Sequence, residues 1–299
     1  MFKDFVRQFG AADIVRKFIY ANVVVYIILV LIGVFSVLLN VPLLVATVKS
    51  WLELPASLVS LAHRPWTVFT YMFVHGGLMH ILWNMFALYV FGRIFLDFFS
   101  VRHFVGVYLL GGILGAFFFV LAYNVFPYFA GVVDVSHLVG ASAAVLAVVT
   151  AAAVRSPEYR ISLLLFGSVK LSTFAIVTVC ISVLMLSGNN AGGNFAHLGG
   201  ALGGYLFAVM LGKGYDVTDV VCRPADWLKS LFERLRTGRV RKKKFTYSPG
   251  GKHGADYEHN ARKKSDEAEI DAILEKIKKG GYASLSEKEK MRLFDASSK

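Results

Sequence analysis

The sequence predicts an all-α polytopic membrane protein, a bundle of six transmembrane helices followed by a short cytoplasmic helical tail. Three observations lead there. Charged residues make up 17% of the 299-residue chain and mean hydropathy is +0.57, whereas soluble domains carry about 25% charged residues. The shortage is local, since residues 1–212 hold 11 Lys/Arg and 6 Asp/Glu, and residues 213–299 hold 21 and 14. Long apolar runs also alternate with loops whose Lys and Arg concentrate on every second connection, the long first loop holding only Lys49 and Arg64.

The elements follow in order. Within 1–19, Phe2, Phe5, Val6 and Phe9 recur at helical spacing among Lys3, Asp4, Arg7 and Gln8, which predicts an amphipathic segment on the bilayer surface. The apolar run at about 20–39 is long enough to span and too long for a signal-peptide core, and no small-residue cleavage site follows, so it is expected to be a retained first span. Residues 40–76, with Pro42, Trp51, Pro55, Pro65 and Trp66, suggest a long aromatic loop at the interface. The second span is expected at about 77–95 and the third at about 104–123, with Gly106, Gly111, Gly112 and Gly115 as close-packing positions. A fourth at about 138–154 covers only roughly 25 Å, less than the ~30 Å hydrocarbon core. The fifth is placed at about 171–186, extended by 161–166, and the sixth at about 193–211.

Lys3, Arg7, Arg16, Lys17, Arg102, Arg155, Arg160, Lys170 and the basic tail lie before span 1, between spans 2 and 3, between spans 4 and 5, and after span 6. The segments after spans 3 and 5 contain no Lys or Arg. The positive-inside rule then puts both termini in the cytoplasm. The tail contributes +7 of the net +12, much of it in 239–244 beside the last span, which points to anionic lipid rather than nucleic acid. Trp227, Leu228, Leu231, Phe232 and Leu235 make a basic juxtamembrane helix and linker of 213–265. In 266–299, Ile270, Ile273, Leu274 and Ile277 mark a helix stopped at Gly280-Gly281, and Ser286 with Glu289 forms a capping box, predicting a small helical hairpin. The two cysteines, Cys180 and Cys222, lack the number and spacing of a disulfide or zinc framework.

Polar groups at membrane depth are costly unless they are used. The proposed spans carry few, chiefly His80, Asn84, Ser142, Asn194 and His197, with no Asp or Glu in their apolar middles. His80 and Asn84 are four apart and share a helix face. Ser142 lies in Gly140-Ala141-Ser142-Ala143 and His197 in Ala196-His197-Leu198-Gly199-Gly200, with Gly204 one turn on. Small neighbours allow two backbones to approach until serine and histidine touch. The set supplies a nucleophile, a base and hydrogen-bond donors. A zinc site from His75, His80 and His197 is disfavoured, because there is no His-Glu-x-x-His and no carboxylate at depth. The missing carboxylates and the lack of an internal repeat also argue against an aspartyl protease or a transporter.

Together, His80-Ile81-Leu82-Trp83-Asn84, Gly140-Ala141-Ser142-Ala143 and Ala196-His197-Leu198-Gly199-Gly200 with Gly204 resemble the rhomboid family of intramembrane serine proteases over about residues 20–212. The resemblance implies a catalytic Ser142–His197 dyad without an acid, and an oxyanion site from the Ser142 backbone N–H with the His80 and Asn84 side chains. Gly140, Gly199, Gly200 and Gly204 would be helix-packing positions. It further implies transmembrane protein substrates, no cofactor, and a bacterial cytoplasmic membrane; a non-catalytic, client-binding relative is the alternative. The chain departs from the family pattern at Ala143, in place of glycine, at Trp66-Thr67, in place of Trp-Arg, and at Leu146, in place of an aromatic ring that packs on the histidine.

Overall fold

The structure is a computed structural model that describes residues 13–163, 167–224, 226 and 227, and positions 273, 276, 286 and 289–291. Helix α1 (Ile14–Leu38) is capped by Asp13, whose carboxylate accepts the Arg16 N–H at 2.9 Å. It therefore starts six residues before the expected span. Residues 14–19, assigned from the sequence to the amphipathic segment, belong to α1; residues 1–12 of that segment lie outside the described residues. At the far end Asn40 adopts φ 54°, a left-handed turn that asparagine tolerates, and leads into α2 (Leu43–Ser50).

The expected interfacial loop is more structured than its composition suggested. It contains α2, strand β1 (Leu54–Pro55), α3 (Leu58–His63), α4 (Thr67–Thr70) and a 3-10 turn at Tyr71–Phe73. Side chains tie it to itself. Trp51 and Trp66 stack at 5.5 Å, the Trp66 indole donates to the Trp51 carbonyl at 2.8 Å, and Thr70 donates to Leu52 at 2.7 Å. Thr67 stands where the family resemblance led us to expect arginine, yet Arg64, three residues earlier, donates its guanidinium to the Ser50 carbonyl.

Next come α5 (Leu78–Phe98) and α6 (Val101–Val125), a 3-10 turn at Pro127–Phe129, and β2 (His137–Leu138). Helix α7 (Ser142–Arg155) follows, then β3 (Arg160–Leu163) and β4 (Gly167–Lys170), α8 (Leu171–Leu184) and α9 (Ala191–Gly212). Two expectations are corrected here. Leu138, the expected first residue of span 4, pairs in an antiparallel ladder with Leu54, and the helix begins only at Ser142. Of the stretch expected to extend span 5, residues 161–163 pair instead with β4, Ile161 opposite Val169 and Leu163 opposite Gly167, while 164–166 lie outside the described residues. The alternating polar and apolar residues of these strands, with Gly167 at φ 67°, suit strand pairing rather than an apolar helix. The strict all-α expectation thus gives way, among the described residues, to a mainly helical fold with two short ladders.

Among the described residues four helices, α1, α5, α6 and α9, are long and apolar enough to cross a membrane, while α7 and α8 are shorter apolar helices of 14 residues each. Helix α9 packs chiefly on α6 and α7, and α6 also packs on α7. Glycine makes this possible. A Cβ on Gly199 would strike the Leu114 carbonyl of α6, and one on Gly200 or Gly204 would strike the Ala143 or Ala147 carbonyl of α7. Successive glycines thus open two faces of α9 to direct backbone contact. Gly115 of α6 leaves the space that the Ala143 methyl occupies, so alanine after the serine is accommodated.

Beyond α9, residues 219–224 are helical, and Asp219 and Asp226 engage Arg102 near the start of α6 at 3.0 and 2.5 Å. The chain divides into two compact units, residues 1–236 and 237–299. In the second, Glu289 accepts hydrogen bonds from Lys276 at 2.9 Å and from the Ser286 N–H and hydroxyl, while the Glu289 N–H returns to Ser286. Lys276 foremost, then Ser286, hold the Glu289 carboxyl down to about 2. Most of the predicted juxtamembrane helix, the linker and the rest of the hairpin lie outside the described residues.

Candidate functional site

Ser142 is the first residue of α7, so its N–H belongs to the turn whose donors have no partner within the helix. What places it is an extended approach. The Ala56 N–H donates to Ser136, β2 pairs with β1, and the Gly140 N–H donates to the Tyr71 carbonyl at 3.0 Å. Tyr71 is buried and donates its hydroxyl to the Gly112 carbonyl at 2.6 Å. The first loop thereby anchors the segment that delivers Ser142 to α6. Gly140 has φ +117°, and a Cβ there would also lie 2.7 Å from His80 Nε2. Backbone conformation and close approach both call for glycine.

His197 occupies the second turn of α9, and its Nε2 lies 2.8 Å from Ser142 Oγ, within ordinary hydrogen-bond range. The glycine contacts on α7 immediately follow it in sequence, so the backbone approach of α9 and the Ser142–His197 contact are one packing event. On the other side, His197 Nδ1 lies 3.2 Å from Ser182 Oγ, and that hydroxyl donates to the Thr178 carbonyl at 3.0 Å.

Helix α5 contributes His80 and Asn84. The Gly76 N–H donates to His80 Nδ1 at 3.4 Å, which leaves Nε2 as the ring's N–H donor, beside Gly140. Asn84 donates one amide hydrogen to the His80 carbonyl at 2.9 Å and keeps the other. Both residues line the same cavity as Ser142 and His197, about 580 Å³ in volume, with Tyr123 and Asn190 on its walls. A smaller crevice of about 210 Å³ reaches the same serine and histidine between α5 and α8, bordered by Trp83, Leu146, Phe174 and Thr178.

Ser142, His197, His80 and Asn84 therefore converge, whereas Gly140, expected as a helix-packing position, lies ahead of α7 against His80, and Asn194, the other polar residue noted in the spans, serves elsewhere. That residue is buried and donates to the Met185 carbonyl at 2.8 Å, which fastens the start of α9 to the preceding loop. His75 is buried against His80, the rings 5.1 Å apart. Leu146, without an aromatic ring, lines the smaller crevice. Sequence reasoning missed Tyr71 and Ser182. The only prior signal for Ser182 was a second hydroxyl, Thr178, one turn earlier on the same face.

Two family profiles match the chain. One, described as "Rhomboid domain", covers residues 62–214, about half of the sequence. The other, "Family of unknown function (DUF6576)", covers residues 255–299. Comparison with curated proteins finds no match.

Proposed function

Because the chain belongs to the rhomboid family, we propose that it is an intramembrane serine endopeptidase that cleaves transmembrane segments with a Ser142–His197 dyad. The observation that carries this reading is the 2.8 Å separation of Ser142 Oγ and His197 Nε2 at the wall of an open cavity. The Ser142 oxygen attacks the carbonyl carbon of the scissile peptide while its proton passes to His197 Nε2. The negative charge that develops on the carbonyl oxygen is met by the Ser142 N–H at the positive end of α7, by His80 Nε2–H and by the free amide hydrogen of Asn84. Collapse breaks the C–N bond, and the departing amine takes the proton from His197. Water then attacks the acyl-serine ester, gives a proton to His197, and releases the acid and Ser142 hydroxyl.

The same reading makes residues 20–212 a six-span core in which α7 and α8 cross a short distance, the four longer helices being apolar enough to span. It puts both termini in the cytoplasm of a bacterial cell, with the protein in the cytoplasmic membrane. The positive-inside pattern supports this orientation. The pairing of Arg102 with Asp219 and Asp226 holds the α5–α6 connection beside the chain leaving α9, so those two segments share one side. The partners are transmembrane protein substrates and the lipid bilayer, not nucleic acid.

The test uses the full chain in liposomes with a single-span reporter. Wild type is expected to cleave the reporter and to react with a fluorophosphonate probe, and Ser142→Ala to do neither. Full cleavage by Ser142→Ala rules out the dyad, and a folded wild type that neither cleaves nor labels favours the client-binding alternative.

A further inference from the structure

The dyad has no acid. Among the described residues the group at His197 Nδ1 is the hydroxyl of Ser182, 2% exposed and 3.2 Å away. A serine hydroxyl carries one proton, and here it is committed to the Thr178 carbonyl at 3.0 Å. Ser182 Oγ can then only accept from His197, which requires the proton on Nδ1. With Nδ1 protonated, neutral His197 presents its lone pair at Nε2, toward Ser142 Oγ.

We propose that Ser182 is a positioning residue, which selects the Nδ1–H tautomer of His197 and holds the ring so that Nε2 faces Ser142. The proposal rests on the protease reading above and deepens it. Three hydrogen bonds run in one direction, Ser142 to His197, His197 to Ser182, and Ser182 to Thr178, across three helices. Ser182 also lies in the last turn of α8, where the helix dipole is negative and a cation is favoured. When His197 takes the serine proton, its positive charge therefore faces an oxygen lone pair and the negative end of a helix. An aspartate would do the same work with a full charge, but an unpaired carboxylate at this depth is expensive. A neutral hydroxyl polarised by a backbone carbonyl sets the tautomer without that cost.

The opposing view is that Ser182, like many serines in apolar helices, merely satisfies its own hydroxyl on the preceding turn. The two views part on three variants. Without the hydroxyl, Ser182→Ala frees the ring to adopt the Nε2–H tautomer, which cannot accept the Ser142 proton. We expect kcat to fall by about 10- to 100-fold with KM within about twofold, the scale on which losing the hydrogen-bond partner behind a metal-ligating histidine lowers activity. Ser182→Thr, which keeps a hydroxyl able to back-bond, is expected to restore most of kcat, whereas Ser182→Val, similar in shape to threonine, is not. Nitrogen-15 NMR of imidazole-labelled full chain, with the His197 signals identified by their loss in His197→Gln, should show Nδ1–H in wild type and a shift toward Nε2–H in Ser182→Ala. Unchanged tautomer and kcat in Ser182→Ala would overturn the proposal, as would equal activity of the Thr and Val variants. A wild type that cleaves nothing sinks the protease reading alone, because the nitrogen spectra still decide whether Ser182 sets the tautomer.

Discussion

Helices α9 and α8 both reach the same histidine, but they are held by opposite means. Helix α9 meets its neighbours through backbone, with Gly199 against α6 and Gly200 and Gly204 against α7, where no side chain intervenes. Helix α8 buries little beyond Leu171, Ala175 and Ser182, a narrow stripe along one side, while Ile176 and Leu184 are 62% and 82% exposed. In hydrocarbon, apolar surface alone gives helices little reason to associate, so close packing and hydrogen bonds set how firmly each is held. The contrast teaches that the Ser142–His197 distance rests on contacts with almost no slack. The third member of the chain of hydrogen bonds comes from a helix that buries only a narrow stripe.

The sharpest way to break this comparison is Gly200→Val. A branched side chain aimed at the Ala143 carbonyl must push α9 from α7, and overpacking of this kind costs about 1–3 kcal/mol or more. An ångström of added Ser142–His197 separation would cost about 100-fold in rate as well. Thermal unfolding in detergent and reporter cleavage should both show the loss, and a variant that keeps wild-type values would remove the rigid side of the contrast.

A purely chemical effect, without the accompanying loss of stability, is expected from Asn84→Ala. Asn84 stands on α5, outside the glycine contacts, so losing one oxyanion donor should lower kcat by about 10²–10³ with the unfolding midpoint little changed. A loss of stability without loss of rate would recast Asn84 as helix glue. Least of all should follow from Ile176→Ala on the exposed face of α8, which is expected to shift stability by no more than about 0.5 kcal/mol and to leave cleavage intact. If Ile176→Ala destabilises the protein as Gly200→Val does, α8 is not the loosely held helix described here.

How much of this was legible in the residues differs from position to position. Ser142, His197, His80 and Asn84 stood out because polar side chains at membrane depth are few. Gly199, Gly200 and Gly204 stood out because helical spacing puts small residues on defined faces. The start of α7 was misplaced at Leu138, since a short apolar run satisfies a strand as readily as a helix and only the partner Leu54 decides between them. Residues 161–163, expected within an extension of span 5, are ambiguous for the same reason and pair with Gly167–Val169 instead. Arg64 was overlooked because its partner, Ser50, is 14 residues away and is recruited through backbone rather than sequence pattern.

By itself the sequence determined the apolar bundle, the charged tail and the small set of polar residues that the bundle must hide, because the energy of placing each residue in hydrocarbon or water depends mainly on its own side chain. Only the tertiary structure decided the start of α7 at Ser142, the faces on which each glycine works, and the hydroxyl that meets His197. Those depend on which backbones come within a van der Waals contact of one another, and Ser182 becomes a partner of His197 only once α8 and α9 lie side by side.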